Sequence, residues 1–434
     1  MSAPMIAWEP ILNSFIRLLK SDSRTSTSVI SFDLPPVEVH SVETAVDKRH
    51  RTLRHLLRAN HINHAIFYSN LIFHNHLPHI LGSAYILGAD VEQLHSIYDK
   101  ETEELAPWTP SPAEITSKEW RIYLGDKKYQ RAYIDFFEDE LALEFHFNWR
   151  NLVYEYLLSG EEPLINGIMS GLGHPLIHLS YAFELSCKEL AIEALAQACL
   201  EYDFIHKYLD DPSYTKPSST FTSTSLLKIL QKIHDDKHFD NIFAHPGPAN
   251  IEPLFNQCEN KVLEYWNSWV IENPIEQFKE SQNDAIKLLI QTVEPCPNKY
   301  DFFLVHILTT SHAIRILLPL LPPRFHLNLV RQWWLLTIAI YIAQLRPAIR
   351  TDPIELPSGK DWKYVRGKAL NGDWAKDAHY VKAIRAIKEV ASTSGDVGDQ
   401  HLAAAIRFAD NFNGWTAFGQ MRTSHNDPPK IDLS

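Results

Sequence analysis

The stretch FHLNLVRQWWLLTIAIYIAQL, residues 325–345, decides the class of fold. Its apolar residues recur every three or four positions, which is the spacing of a helix. The most apolar part, WWLLTIAIYIAQL (333–345), is shorter than the ~20 residues that a membrane span needs. Arg331 and Arg346 bracket it. It reads as a helix buried in a protein core, with Trp333 and Trp334 as packing residues rather than a platform for a substrate.

The same spacing recurs along the chain. It predicts helices within 53–75, 187–209, 260–273, 282–293, 300–321 and 377–392. Glycine is scarce, at 15 in 434 residues, and no alternating strands with hairpin turns or βαβ rhythm stand out. The expected fold is all-α. SDSRTSTSVISFDLPP (21–36) and DDPSYTKPSSTFTSTS (210–225) read as loops. Histidine clusters lie on both sides of the second loop. The organisation expected is an N-terminal segment and linker (1–36), a single large composite helical domain (37–425) with a loop insertion at about 210–225, and a C-terminal tail (426–434). The active site would lie between helices.

Composition narrows the function. A hydrophobic content of 45% supports a large core. A formal charge of −12, a pI near 6.0 and the lack of a long basic run argue against a nucleic-acid partner. Cys187, Cys199, Cys258 and Cys296 have no CxxC spacing and read as reduced thiols. The start, MSAPMIAWEPILNSF, lacks the basic region and apolar core of a secretory signal. Together these features predict a cytoplasmic location and no membrane span. They leave the oligomeric state open.

Histidine is the compositional oddity, at 22 residues. Five places concentrate it in helical surroundings: His61 and His64; His74, His76 and His79; His174 and His178; His306 and His312; and His379. Imidazole suits Zn, Cu, Fe or Ni, and a site needs several such ligands converging from different helices. His174 and His178 are four apart and share a helix face. Gly171-Leu172-Gly173 before them is a natural helix start, and Pro175 is tolerated in a first turn. His306 and His312 are six apart, so a regular helix cannot point both into one site. His306, in the more apolar surroundings, is the inward choice.

His379 and Lys382 are three apart, among Ala378, Val381, Ala383 and Ile384. Burial disfavours an ammonium and lowers its pKa. A neutral amine can act as a base, form a Schiff base, or add CO2 to become a carbamate, an anionic oxygen ligand. The ordinary reading of each single histidine is a hydrogen-bonded core or surface residue. The ordinary reading of Lys382 is a side chain that reaches solvent or pairs with Asp377 or Glu389.

Other chemistries lack their motifs. There is no GxGxxG after a strand, P-loop, HExxH, GxSxG or paired Glu-x-x-His set. HDDKHFD (234–240) resembles a His-Asp phosphohydrolase doublet, but it sits in a charged, surface-like run.

The ordered segments FHNHLPHILGSAYILGAD, GHPLIHLSYAFE, VHILTTSHAIRILLP and DAHYVKAIRAI resemble the questin oxidase-like family, over roughly residues 40–415. The resemblance implies a fungal enzyme of secondary metabolism that opens the quinone ring of a polyketide-derived hydroxyanthraquinone of the questin or emodin kind. It implies one of two chemistries. One is a Baeyer–Villiger-type oxidation with NADPH. The other is an O2-dependent dioxygenase with a mononuclear non-haem Fe(II), held by four histidines and a carboxylated lysine. Carried onto this chain, the second gives His79, His174, His306 and His379 as metal ligands and catalytic residues, with Lys382 as the carbamate. His64, His76 and His178 are reserves, as alternates or as groups that orient the ligands. Pro78 departs from the family, which more often has an ordinary helix former there. A proline inside a helix would kink it between His76 and His79.

The alternatives to iron chemistry are a metal-independent, NADPH-dependent Baeyer–Villiger oxidase, a non-catalytic helical protein that binds a polyketide, and a structural zinc site. No dinucleotide-binding fingerprint accompanies the first.

Overall fold

The computed structural model describes residues 30–417, apart from 45, 218–220 and 293–298. Cys296, residues 1–29 of the expected N-terminal segment and the whole expected tail lie outside the described residues. In chain order the helices begin with α1 (Lys48–Asn63), α2 (Leu77–Leu87), α3 (Val91–Glu101), α4 (Gln130–Leu143) and α5 (Trp149–Leu158). Next come α6 (His174–Leu185), α7 (Lys188–Leu200), the single turn α8 (Lys207–Asp210) and α9 (Leu226–Asp235). The remainder are α10 (Ile251–Asn267), α11 (Pro274–Ile290), α12 (Leu304–Leu317), α13 (His326–Ala343), α14 (Trp362–Asn371), α15 (Ala378–Ser394) and α16 (Gln400–Asn411). The fold is all-α.

The membrane-like stretch is α13. It is buried on every side, from Leu329 through Ala343, in one connected apolar core that reaches from Phe32 to Trp415. Among the described residues, no helix is long and apolar enough to cross a membrane. Trp333 is core, and its indole N–H donates to the Ile307 carbonyl at 3.0 Å. Cys187 and Cys199 are buried free thiols and Cys258 is half-buried.

Several expectations need correction, and the helix expected over 187–209 is one of them: it ends at Leu200, and the chain leaves the helix at 201–203 before α8. The helix expected over 53–75 stops at Asn63. Beyond it, β1 (Phe67–Tyr68) pairs antiparallel with β2 (Phe73–His74). Ser69, Asn70 and Leu71 turn the chain with positive φ, which no helix tolerates in a row. The stretch 300–321 begins not as helix but as β3 (Tyr300–Asp301), parallel to β4 (Trp415–Thr416). Pro78 does not kink a helix. It lies in the first turn of α2, where its missing N–H has no intrahelical acceptor to serve, and His76 is the N-cap.

Four helices, α2, α6, α12 and α15, form a closed ring in which each packs against its two neighbours. All four begin at the same place. His76 caps α2, His174 is the first residue of α6, His306 the third of α12 and His379 the second of α15.

Candidate metal centre

Each helix start is fixed by local chemistry. Ahead of α6, Gly171, Leu172 and Gly173 all have positive φ. A Cβ on Gly173 would stand 2.4 Å from Cγ2 of Thr310 on α12, so glycine is required there on two counts. At α15, Asp377 accepts from the Tyr380 N–H at 2.8 Å, and the indole of Trp415 donates to its other oxygen at 2.8 Å. At α12, Asp301 accepts from the N–H groups of Phe303 and Leu304.

These starts bring the imidazoles together. Among the described residues, His76, His174 and His379 each offer a nitrogen within 4.8 Å of the others. Nε2 of His76 lies 2.9 Å from Nε2 of His174. The His306 ring is 5.0 Å from that of His379 and 5.1 Å from that of His174. Nδ1 of His174 donates to the Gly171 carbonyl at 2.6 Å, and Nδ1 of His306 to the Phe302 carbonyl at 2.9 Å. Those bonds select the tautomer and leave both Nε2 atoms as lone pairs. Nε2 of His306, Nε2 of His379 and Nζ of Lys382 are buried with no hydrogen-bond partner.

Electrostatics keep the group neutral. Burial, then the charge of Lys382, holds His76 and His379 well below the usual imidazole range. Burial, then the neighbouring His74 and His76, does the same for His174. His306 is pushed down to about 3 by burial and then Lys382. Burial also brings the Lys382 amine down to about 7, against the opposing charges of Asp377 and Glu101.

The donor set fits a first-row metal ion. Two nitrogens in adjacent positions at ~2.1 Å from an ion stand about 3 Å apart, which is the His76–His174 separation. The orphaned nitrogens of His306 and His379 and the orphaned amine of Lys382 complete the group. Phe302 and Trp415 flank His379, with ring centroids at 4.4 and 6.1 Å.

The other expected residues fall elsewhere. His79 is fully buried beside the group, but its Nε2 lies 3.1 Å from Nδ1 of His178, and its Nδ1 has no partner. His178 donates from Nε2 to Glu193 at 2.7 Å. His64 ends α1 near Tyr98, away from the cluster. His312 is buried near Arg315 and Arg385. In HDDKHFD, His234 donates from Nδ1 to the Arg346 carbonyl at 2.7 Å, and the neighbouring Asp236 accepts from the His238 N–H and the Tyr265 hydroxyl.

Some participants had no role in the sequence reading: His74 was named only as a member of its cluster, and the polar residues of α7 were not named. His74 stacks on His174, with centroids 3.8 Å apart and planes within 3°, and its Nε2 pairs with Glu201 at 2.7 Å. Glu193 and Gln197 both reach His178. The signal was present: Glu189, Glu193 and Gln197 on α7 and Glu201 at its C-cap recur at every fourth position, and the other residues of α7 are mainly apolar.

Comparison with known proteins agrees with the resemblance. The questin oxidase-like family model matches residues 73–387. A questin oxidase from Aspergillus terreus is 24% identical, over 78% of this chain and 80% of its own length. A Baeyer–Villiger oxidase from Pestalotiopsis fici is 22% identical, over 84% and 86%. A Baeyer–Villiger monooxygenase from Aspergillus aculeatus is 24% identical, over 91% and 88%. The chain belongs to the questin oxidase-like family and is an oxidoreductase.

Proposed function

We propose that the protein is an oxygenase that opens the quinone ring of a hydroxyanthraquinone of polyketide origin, using O2 and a mononuclear non-haem Fe(II). The observation that carries this reading is the convergence of His76, His174 and His379, together with the unpartnered buried nitrogens of His306 and His379 and the amine of Lys382, whose pKa is lowered. His76, His174, His306, His379 and Lys382 would hold the ion. His76 takes the place that the sequence reading gave to His79, because His76 faces His174 while His79 is engaged with His178. Bound iron would supply the redox chemistry that lets O2 react with a closed-shell aromatic ring.

The chain's own groups do the rest. The carbonyls of Gly171 and Phe302 hold His174 and His306 in one tautomer. The neutral amine of Lys382 can add CO2: a C–N bond forms, a proton leaves, and a carbamate anion results. Phe302 and Trp415 offer apolar faces to a flat substrate. Closely packed helices exclude water.

The Baeyer–Villiger oxidases among the relatives favour a second reading, a Baeyer–Villiger oxidation; on this chain it would be NADPH-dependent, without metal, and act on the same substrate class. Anaerobic metal analysis, with assays plus and minus NADPH and plus and minus bicarbonate, separates the two. Iron near one per chain, and turnover that falls when CO2 is removed, are expected. Full, NADPH-dependent activity of the chelated protein would replace the iron reading with the second.

A further inference from the structure

A second set of buried titratable groups lies outside the proposed ligands, along α7. Glu193 is 1% exposed. Its Oε2 accepts from Nε2 of His178 at 2.7 Å, and its Oε1 accepts from Nδ1 of His61 at 2.7 Å. Nε2 of His61 lies 3.1 Å from Oε1 of Glu138 on α4, whose side chain is 43% exposed. At the other end, Nε2 of His79 lies 3.1 Å from Nδ1 of His178. Four consecutive hydrogen bonds therefore join a carboxylate in water to an imidazole beside the candidate centre. The last atom, Nδ1 of His79, is buried with no partner.

The proton order along this chain follows from its ends. His178 donates to Glu193, so its Nδ1 is the acceptor, both for His79 and for the Gln197 amide at 3.2 Å. His79 then carries its proton on Nε2 and a lone pair on Nδ1. The carboxylates on either side of His61 outweigh its burial and keep it protonated on both nitrogens. From His79 to Glu193, every N–H points away from the centre.

We infer that His79, His178, Glu193, His61 and Glu138 form a proton path between the candidate centre and solvent, which takes the phenolic proton of the bound substrate and later returns one. The substrate part of this inference rests on the ring-opening reading. In the outward step the phenol O–H bond breaks and an N–H bond forms at Nδ1 of His79. The Nε2 proton of His79 moves to Nδ1 of His178, and the Nε2 proton of His178 moves to Glu193. His61 releases its Nε2 proton to Glu138 and so to water. The substrate is left as a phenolate, whose ring is more electron-rich and more readily oxidised. The path is now polarised toward the centre. Reversal of the same shifts delivers one proton to a product oxygen and restores the starting order. One proton leaves and one returns, so this path needs no oxidant or reductant of its own.

Glu138→Gln tests the path, because an amide keeps the shape but cannot pass a proton on. Its partly exposed position makes the substitution tolerable to the fold. In full-length protein labelled with 15N-histidine, the N–H protons of His61 and His178 should exchange with solvent several-fold more slowly in Glu138→Gln. Glu138→Asp should restore the rate. In turnover, kcat should fall by about 100-fold with KM unchanged and a larger solvent isotope effect. Unchanged exchange in Glu138→Gln overturns the path, whatever the reaction proves to be. Slowed exchange in a protein that opens no quinone keeps the path and removes the ring-opening reading instead.

Discussion

Two groups of buried or half-buried histidines share this core, and they resolve the same problem in opposite ways. His61 and His178 hydrogen-bond to carboxylates, so His61 can hold a charge inside the protein. His174 and His306 spend one nitrogen on a backbone carbonyl, and with His76 and His379 they stay neutral. The first arrangement holds protons. The second keeps lone pairs free. Burial is common to both, so the partner, and not the depth, decides what a buried imidazole can do.

Replacing Lys382 strikes the second group hardest. Lys382→Ala should lose more metal affinity than the roughly 10–100-fold that removal of an outer partner costs, and its oxygenase activity with it. A Lys382→Ala protein that retains iron and turns over normally would break the division between the groups. A finer cut separates two neighbours on α2. His76→Ala should behave as loss of a ligand, whereas His79→Ala should retain metal within about tenfold and lose activity. The reverse order, read by metal titration, would restore His79 as the ligand.

The helix starts can also be disturbed without touching an imidazole. Gly173→Ala should cost on the order of 1–3 kcal/mol, from its positive φ and the encounter with Thr310. Denaturant unfolding would measure that loss, and weaker metal binding should accompany it as His174 shifts.

The last contrast is the slope of stability against pH in chelated protein, and it should have opposite signs for the two groups. The folded-state pKa of His61 is raised to about 10. Its contribution is complete below the unfolded value near 6.5 and is lost as pH rises toward 10. The folded-state pKa values of His76, His174 and His379 are depressed. Their unfolded forms take up protons below about 6.5 while the native forms do not, so stability falls as pH drops below that value. Each full proton difference gives about 1.4 kcal/mol per pH unit. His61→Gln should flatten only the alkaline limb.

Much of this was legible in the residues, for physical reasons that differ by site. Long apolar runs at helical spacing mark helices that the core will enclose, so α12, α13 and α15 could be read directly. Lys382 stood out as a cation with apolar residues on either side, one turn after His379. The choice between His76 and His79 depended on where α2 begins, which Pro78 marks once it is read as a first-turn proline rather than a kink. Two-residue strands such as Phe67–Tyr68 carry no periodicity to detect. The polar line on α7 had a regular spacing, but its meaning depended on His61 and His178, which only the tertiary fold brings to it.

The convergence of four helix starts has a consequence for motion. First turns are where helices fray, because their leading N–H groups lack intrahelical acceptors. A ligand shared by His76, His174, His306 and His379 would tie down four such ends at once. Chelation should therefore quicken amide exchange first in the opening turns of α2, α6, α12 and α15, while the middle of α13 stays protected. The centre would then act as a clasp on the fold as well as a place for chemistry, and the loops leading into it could change their lengths without disturbing the helices that they start.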